Sequence, residues 1–216
     1  MDKELKNYIE KEIKSKYRTF DKGHNINHYN NVTKNCTKYA KLLNEEGQRV
    51  DVDIAYIVGA YHDIGMIHGR EEHAVSSGKI VREDKMLRKY YSNDIIEQIA
   101  MAVEDHSSHT GREPRNIYGK IVADADRSNT LYLVFSRPIK FGLKNDPKSW
   151  SRQQRIDSVY QFVQGKFGRN GYVKYWLNIP DTTKEQNAVW ELLDKEHECK
   201  AYIAGIFDEV SKGKYK

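Results

Sequence analysis

The sequence predicts an all-α fold, a helical bundle with a helical C-terminal extension. Three observations predict it. Apolar residues recur at helical spacing along almost the whole chain. Only four prolines occur, Pro114, Pro138, Pro147 and Pro180, and each falls where that pattern breaks. No repeat or low-complexity tract interrupts the helical reading.

The elements follow in order. Leu5, Ile9 and Ile13 predict a helix over 3–17. After the loop Asp21-Lys22-Gly23-His24-Asn25, a second helix carries His28, Val32, Cys36, Tyr39, Ala40 and Leu43 on one stripe and stops at Gly47. A third starts after Asp51 and is apolar nearly all round (Ile54, Ala55, Ile57, Val58, Tyr61), which predicts a central buried helix ending at His62. A polar loop leads to a fourth helix beginning near His73. Ser92 or Asn93 caps a fifth, whose apolar face is Ile95, Ile96, Ile99, Ala102 and Val103 and whose end delivers His106. The next helix is expected over 116–134, then a loop over 136–150, then helices near 149–165 and 183–211. Residues 170–178 read equally as the start of a helix or as a short strand. This organisation divides the chain into a core over 1–135 and a segment over 136–216 that packs on the core or forms a lid.

With 216 residues the chain is long enough to bury a core without a disulfide or a structural metal. Its two cysteines, Cys36 and Cys199, are far apart in sequence, so neither a disulfide framework nor a thiolate zinc site is expected. Reduced thiols and a charged first segment (Met1-Asp2-Lys3-Glu4) point to a cytoplasmic protein without a secretory leader. No apolar run approaches the length of a membrane span. The net charge of +5 suits an anionic substrate such as a phosphate ester. Without a block of like charges, nucleic acid is not the expected partner.

The most informative residues are His62-Asp63, set in Tyr61-His62-Asp63-Ile64-Gly65, with His28 upstream and Asp126 downstream. Imidazole nitrogens and carboxylate oxygens suit a divalent or trivalent metal. Adjacent ligands on one helix, joined by one ligand from each of two others, can converge on a single ion. Such an ion makes hydroxide from water at neutral pH, and that chemistry points to hydrolysis. Asp124 and Asp126 are two apart on a helix and point about 200° apart, so only one readily faces the metal. Asp126 shares its face with Val122 and Leu133. Asp124 shares its face with Lys120 and Arg127, which reads as the wetter side, and is left as a supporting or solvent-facing residue.

The pattern His28, His62-Asp63, Asp126 resembles the HD superfamily of metal-dependent phosphohydrolases over roughly residues 20–135. The run Lys120-Ile121-Val122-Ala123-Asp124-Ala125-Asp126-Arg127 is similar to that family's K-I-V-x-x-A-D segment, which favours Asp126 as the ligand. The resemblance implies an HD-type helical bundle, with His28, His62, Asp63 and Asp126 holding a first ion. His73 and His106 look like the additional histidines of the two-metal branches. With Asp63 as a bridging carboxylate they would hold a second ion about 4 Å away. One or two ions are thus implied, with iron, manganese or zinc all suiting the donor set.

By the same resemblance the function is phosphohydrolysis of a nucleotide or another small phosphate ester by metal-bound hydroxide, with Asp63 orienting or deprotonating the attacking water. Many family members carry a lysine after the HD-x-G segment, and Met66 stands there in this chain. Phosphate contacts are therefore expected from Arg70, His109, Arg112, Lys120 and Arg127. The loop His109-Thr110-Gly111-Arg112 also resembles that of a diadenosine tetraphosphate hydrolase branch. Two other readings share these ligands: a nucleotide-binding module without turnover, and an HD-type oxygenase or lyase. His24, His68 and His109 are read at least as well as surface-loop histidines as substrate contacts. A homo-oligomer is compatible with the sequence.

Overall fold

The computed structural model describes residues 1–21, 23–107, 112–127 and 130–212. Among them every regular element is helical, so the chain is all-α, as its periodicity predicts. The chain forms two compact units, one of residues 1–127 with 175–179 and one of residues 128–174 with 180–216.

In the first unit, α1 (3–16) is capped by Asp2, whose side chain accepts the Glu4 and Leu5 N–H groups, and includes a π-helical turn at Ile9–Ile13. Its four-residue apolar spacing buries Leu5, Ile9, Ile13 and then Tyr17. Helix α2 (Ile26–Glu45) starts at Asn25, whose side chain accepts the N–H of Asn27 and His28, so the cap itself fixes the backbone of the first histidine. Helix α3 (Val52–Tyr61), capped by Asp51, is buried on nearly every side and is the centre of the unit. It crosses α2 closely because Gly59 has no side chain: a Cβ there would lie 3.0 Å from Cys36 Sγ and 3.1 Å from Thr33 Cα.

A 3-10 turn (Ile64–His68) follows α3 and packs on α4 (His73–Glu83). Asp84 caps the short α5 (Lys85–Tyr90), and Ser92 caps α6 (Asn93–Asp105), whose Ile96, Ile99, Ala102 and Val103 are buried. Helix α7 (Ile117–Arg127) packs on α2, α3 and α6. The segment 175–179 lies against this same core, burying Leu177 and Ile179.

The second unit contains α8 (Leu131–Asn145), α9 (Arg152–Phe167), α10 (Pro180–Leu193) and α11 (Glu196–Ser211). Phe135, Ile139, Val163, Leu193, Cys199 and Ile203 are among its core residues.

Five expectations are corrected here. The helix expected over 116–134 is two helices, because Thr130 caps a fresh start at Leu131. The loop expected over 136–150 is mostly α8, which runs through Pro138. That proline withholds only its own N–H, and the burial of Phe135 and Ile139 on either side carries the helix past it. The single helix expected over 183–211 is interrupted between Leu193 and Glu196. Residues 170–178 form neither a helix start nor a strand; 173–179 is irregular chain. The boundary placed at 135 from the sequence lies inside α8.

Candidate metal centre

Six side chains named from the sequence come together in the first unit, and each sits at or near a helix end. His28 is in the first turn of α2, His62 caps the end of α3, and Asp63 begins the 3-10 turn. His73 opens α4, His106 follows α6, and Asp126 is the penultimate residue of α7.

They form two groups: His28, His62 and Asp126, and Asp63, His73 and His106, with the ligand atoms of each group within 4.8 Å of one another. The Asp63 carboxylate lies between them. Its Oδ2 is 3.1 Å from His62 Nε2 and 3.3 Å from His28 Nε2, while its Oδ1 is 3.4 Å from both His73 Nε2 and His106 Nε2. Asp126 Oδ1 is 3.2 Å from His28 Nε2.

The tautomers follow from the surroundings. His62 Nδ1 is 2.8 Å from the Gly59 carbonyl, His73 Nδ1 2.7 Å from that of Arg70, and His106 Nδ1 2.5 Å from that of Val103. A carbonyl only accepts, so each Nδ1 donates, and the neutral ring then presents a lone pair at Nε2. Two of those lone-pair atoms nonetheless face each other, His73 Nε2 and His106 Nε2 at 3.2 Å, and His62 Nε2 lies 3.0 Å from His28 Nε2. Facing lone pairs repel unless a cation, proton or metal, lies among them. Asp63 Oδ2 is moreover buried without a hydrogen bond. Carbonyl-anchored imidazoles around a shared carboxylate are the arrangement a metal requires of its ligands, and the residues present fit one.

Protonation in the metal-free protein has the same cause. Burial opposes charge on His28, but the Asp126 and Asp63 carboxylates outweigh it and raise its pKa to about 9. Burial likewise opposes charge on His106, and Asp63 again prevails, raising it. His73 is lowered, first by burial and then by neighbouring His106. Asp63 and Asp126 are both held below the usual carboxylate range; burial pushes each up, and the surrounding histidines more than reverse it.

Burial also shows where the centre opens. The side chains of His62, Asp63 and His106 are 0, 2 and 3% exposed and form a closed back wall. Those of His28, His73 and Asp126 are 12, 18 and 30% exposed and form the mouth.

Asp124 is the one expectation about this centre that the structure reverses. It is fully buried, not on a wet face. The segment 175–179 covers it, and its carboxylate accepts the N–H groups of Trp176 and Leu177 at 2.9 and 2.8 Å. Burial raises its pKa to about 6, with those N–H groups opposing.

The residues expected to bind phosphate are more dispersed. Arg70 is exposed and pairs with Asp21 at 3.2 Å. Arg112 donates to Asp105 at 3.0 Å, and Lys120 pairs with Glu113. Arg127 is buried and donates to the His106 carbonyl at 3.3 Å. His109 lies outside the described residues.

Sequence reasoning missed three supports. Tyr17, fully buried, accepts the Asp63 N–H and donates to the Ala60 carbonyl. Ser77 donates to the His62 carbonyl at 2.8 Å and accepts the Gly65 N–H at 2.9 Å, tying α4 to the turn that carries the ligands. Gly65 itself faces the α4 backbone, where a Cβ would lie 2.1 Å from the His73 carbonyl oxygen. Only Gly65 carried a sequence signal, as a glycine directly after an apolar helix.

The family model for the HD domain matches residues 25–131, a span that contains all six side chains. No curated protein and no solved structure matches the chain. Among the described residues, no helix is long and apolar enough to cross a membrane.

Proposed function

The chain belongs to the HD superfamily, and from that premise we propose that it is a metal-dependent phosphohydrolase whose ions are held by His28, His62, Asp63, His73, His106 and Asp126. The observation that carries this reading is the Asp63 carboxylate set between two pairs of converging Nε2 atoms, one oxygen toward each. Two groups sharing one carboxylate favour two ions. When bound, ions in such a nitrogen and oxygen donor set supply Lewis acidity, acidifying water and offsetting charge on phosphoryl oxygens.

The protein's own contribution is orientation and exclusion. The carbonyls of Gly59, Arg70 and Val103 hold three imidazoles in the ligating tautomer. The closed wall of His62, Asp63 and His106 keeps bulk water from the rear, so the attacking water and the substrate share the open side. Asp63 is the carboxylate that orients the attacking water. The substrate is a small phosphorylated molecule, with a nucleotide as the leading candidate. Its anionic charge is matched by the chain's net charge of +5. Iron, manganese and zinc all suit the donors.

The test is elemental analysis of protein purified without added metal, followed by a phosphate-release screen over nucleotides and other phosphate esters. About two ions per chain and turnover abolished by Asp63→Ala are expected. Turnover that survives Asp63→Ala overturns the proposal.

A further inference from the structure

The open side of the centre holds one more histidine than the ligand groups use. His24 lies in the turn before α2, with its ring centroid 5.8 Å from that of His28 and 6.4 Å from that of His73. It therefore borders both groups at once, on the side where their members reach solvent. Its own side chain is 20% exposed, similar to His73 and unlike the buried wall behind. The ring thus stands beside the partly exposed members of both groups.

The ring is also oriented. Asp21 Oδ1 accepts the Gly23 N–H at 2.7 Å and the His24 N–H at 3.2 Å, and lies 2.8 Å from His24 Nδ1. A carboxylate at Nδ1 makes that nitrogen the donor and leaves Nε2 for another group. Asp21 Oδ2 takes Arg70 Nη1 at 3.2 Å, and the Arg70 carbonyl in turn holds His73 Nδ1. One carboxylate thus fixes both edges of the mouth, the turn leading to His28 and the loop leading to His73.

We propose that His24, held by Asp21, is a substrate-contacting residue, its ring in the doubly protonated form donating Nδ1–H to Asp21 and Nε2–H to a phosphoryl oxygen of a phosphate ester lying across the two ligand groups. This rests on the phosphohydrolase reading for the identity of the ligand. Asp21 is a positioning residue, acting through His24.

The experiment uses the metal-loaded full chain and inorganic phosphate as the probe. Phosphate affinity is measured by calorimetry and metal content by elemental analysis, for wild type, His24→Ala and Asp21→Asn. A hydrogen bond to a charged group predicts about a tenfold or greater loss of phosphate affinity in His24→Ala, with metal content unchanged. Asp21→Asn is expected to lose less, because the ring remains but is less firmly held. Unchanged phosphate affinity in His24→Ala overturns the proposal. So does a fall in its metal content, which would make His24 a ligand or a structural residue. If wild type binds phosphate through His24 yet hydrolyses no phosphate ester, the phosphohydrolase reading fails and this contact stands.

Discussion

Replacing Gly65 by alanine tests whether the turn after His62-Asp63 is what places His73. An added Cβ would lie 2.1 Å from the His73 carbonyl oxygen, 2.6 Å from the Ser77 nitrogen and 2.8 Å from Ser76 Cβ. The two nearest atoms are backbone, so no rotamer change relieves them. Ordinary contact distances require the start of α4 to retreat by roughly 1 Å. Metal–ligand bonds tolerate only about 0.2 Å, so His73 is lost from its group. Overpacking of this kind costs about 1–3 kcal/mol, which lowers the melting temperature by roughly 2–4 °C per kcal/mol in a chain of this size. Thermal unfolding and elemental analysis read the two effects together. Gly65→Ala is expected to melt several degrees lower and to retain about one ion where wild type holds two. Gly205→Ala is the control: a Cβ there meets nothing within 4 Å inside α11, and stability should hold or rise. A Gly65→Ala protein with wild-type melting and a full metal complement would refute the reasoning.

Further outcomes follow from the same contacts. His73→Ala should lower the metal content from about two ions to one while leaving the fold intact, as near-UV circular dichroism would show; unchanged metal content would remove His73 from the ligand set. Ser77→Ala leaves the His62 carbonyl and the Gly65 N–H without their shared hydroxyl, which should cost about 1–3 kcal/mol in urea titrations. Asp124→Ala removes the buried carboxylate that accepts the Trp176 and Leu177 N–H groups and should cost about 1–3 kcal/mol, read as an earlier melting transition. Burial raises both thiols, Cys199 to about 11, and thiol reagents attack only the thiolate. At pH 8 the native protein should therefore react with a thiol reagent only after denaturant is added.

What the sequence disclosed about the centre, and what it did not, has a physical pattern. His28, His62, Asp63, His73, His106 and Asp126 stood out chiefly through the resemblance to the HD family, and His28, His62 and His106 also through their place on or at the end of an apolar helical stripe. Residues two apart on a helix cannot share a face, which allowed only one of Asp124 and Asp126, and the resemblance favoured Asp126. The surroundings of Asp124 were misread for a reason beyond local pattern. Its cover is 175–179, a segment some fifty positions away with no period of its own, so nothing near Asp124 signals that it is buried. Pro138 failed similarly: local preference stops a helix there, and the burial of Phe135 and Ile139 overrides it.

The same distinction separates the six candidate metal-binding side chains from their neighbour His24. His24 sits in a loop and is held by a carboxylate three positions earlier, a local contact that any exposed Asp and His could make. Its significance arises only because α2 and α4 bring His28 and His73 to either side of it, which is a fact of packing and not of pattern. Arg70 illustrates the converse. Read from sequence as a phosphate ligand, it has a backbone carbonyl that orients His73 and a side chain that anchors Asp21. Its contribution to the mouth is therefore structural before any substrate arrives. An Arg70→Ala variant should keep the His73 contact, because that contact is made by the backbone, and should lose only part of the restraint on Asp21. Phosphate affinity should then fall less in Arg70→Ala than in His24→Ala. The reverse order would make the arginine, not the histidine, the main contact at the mouth.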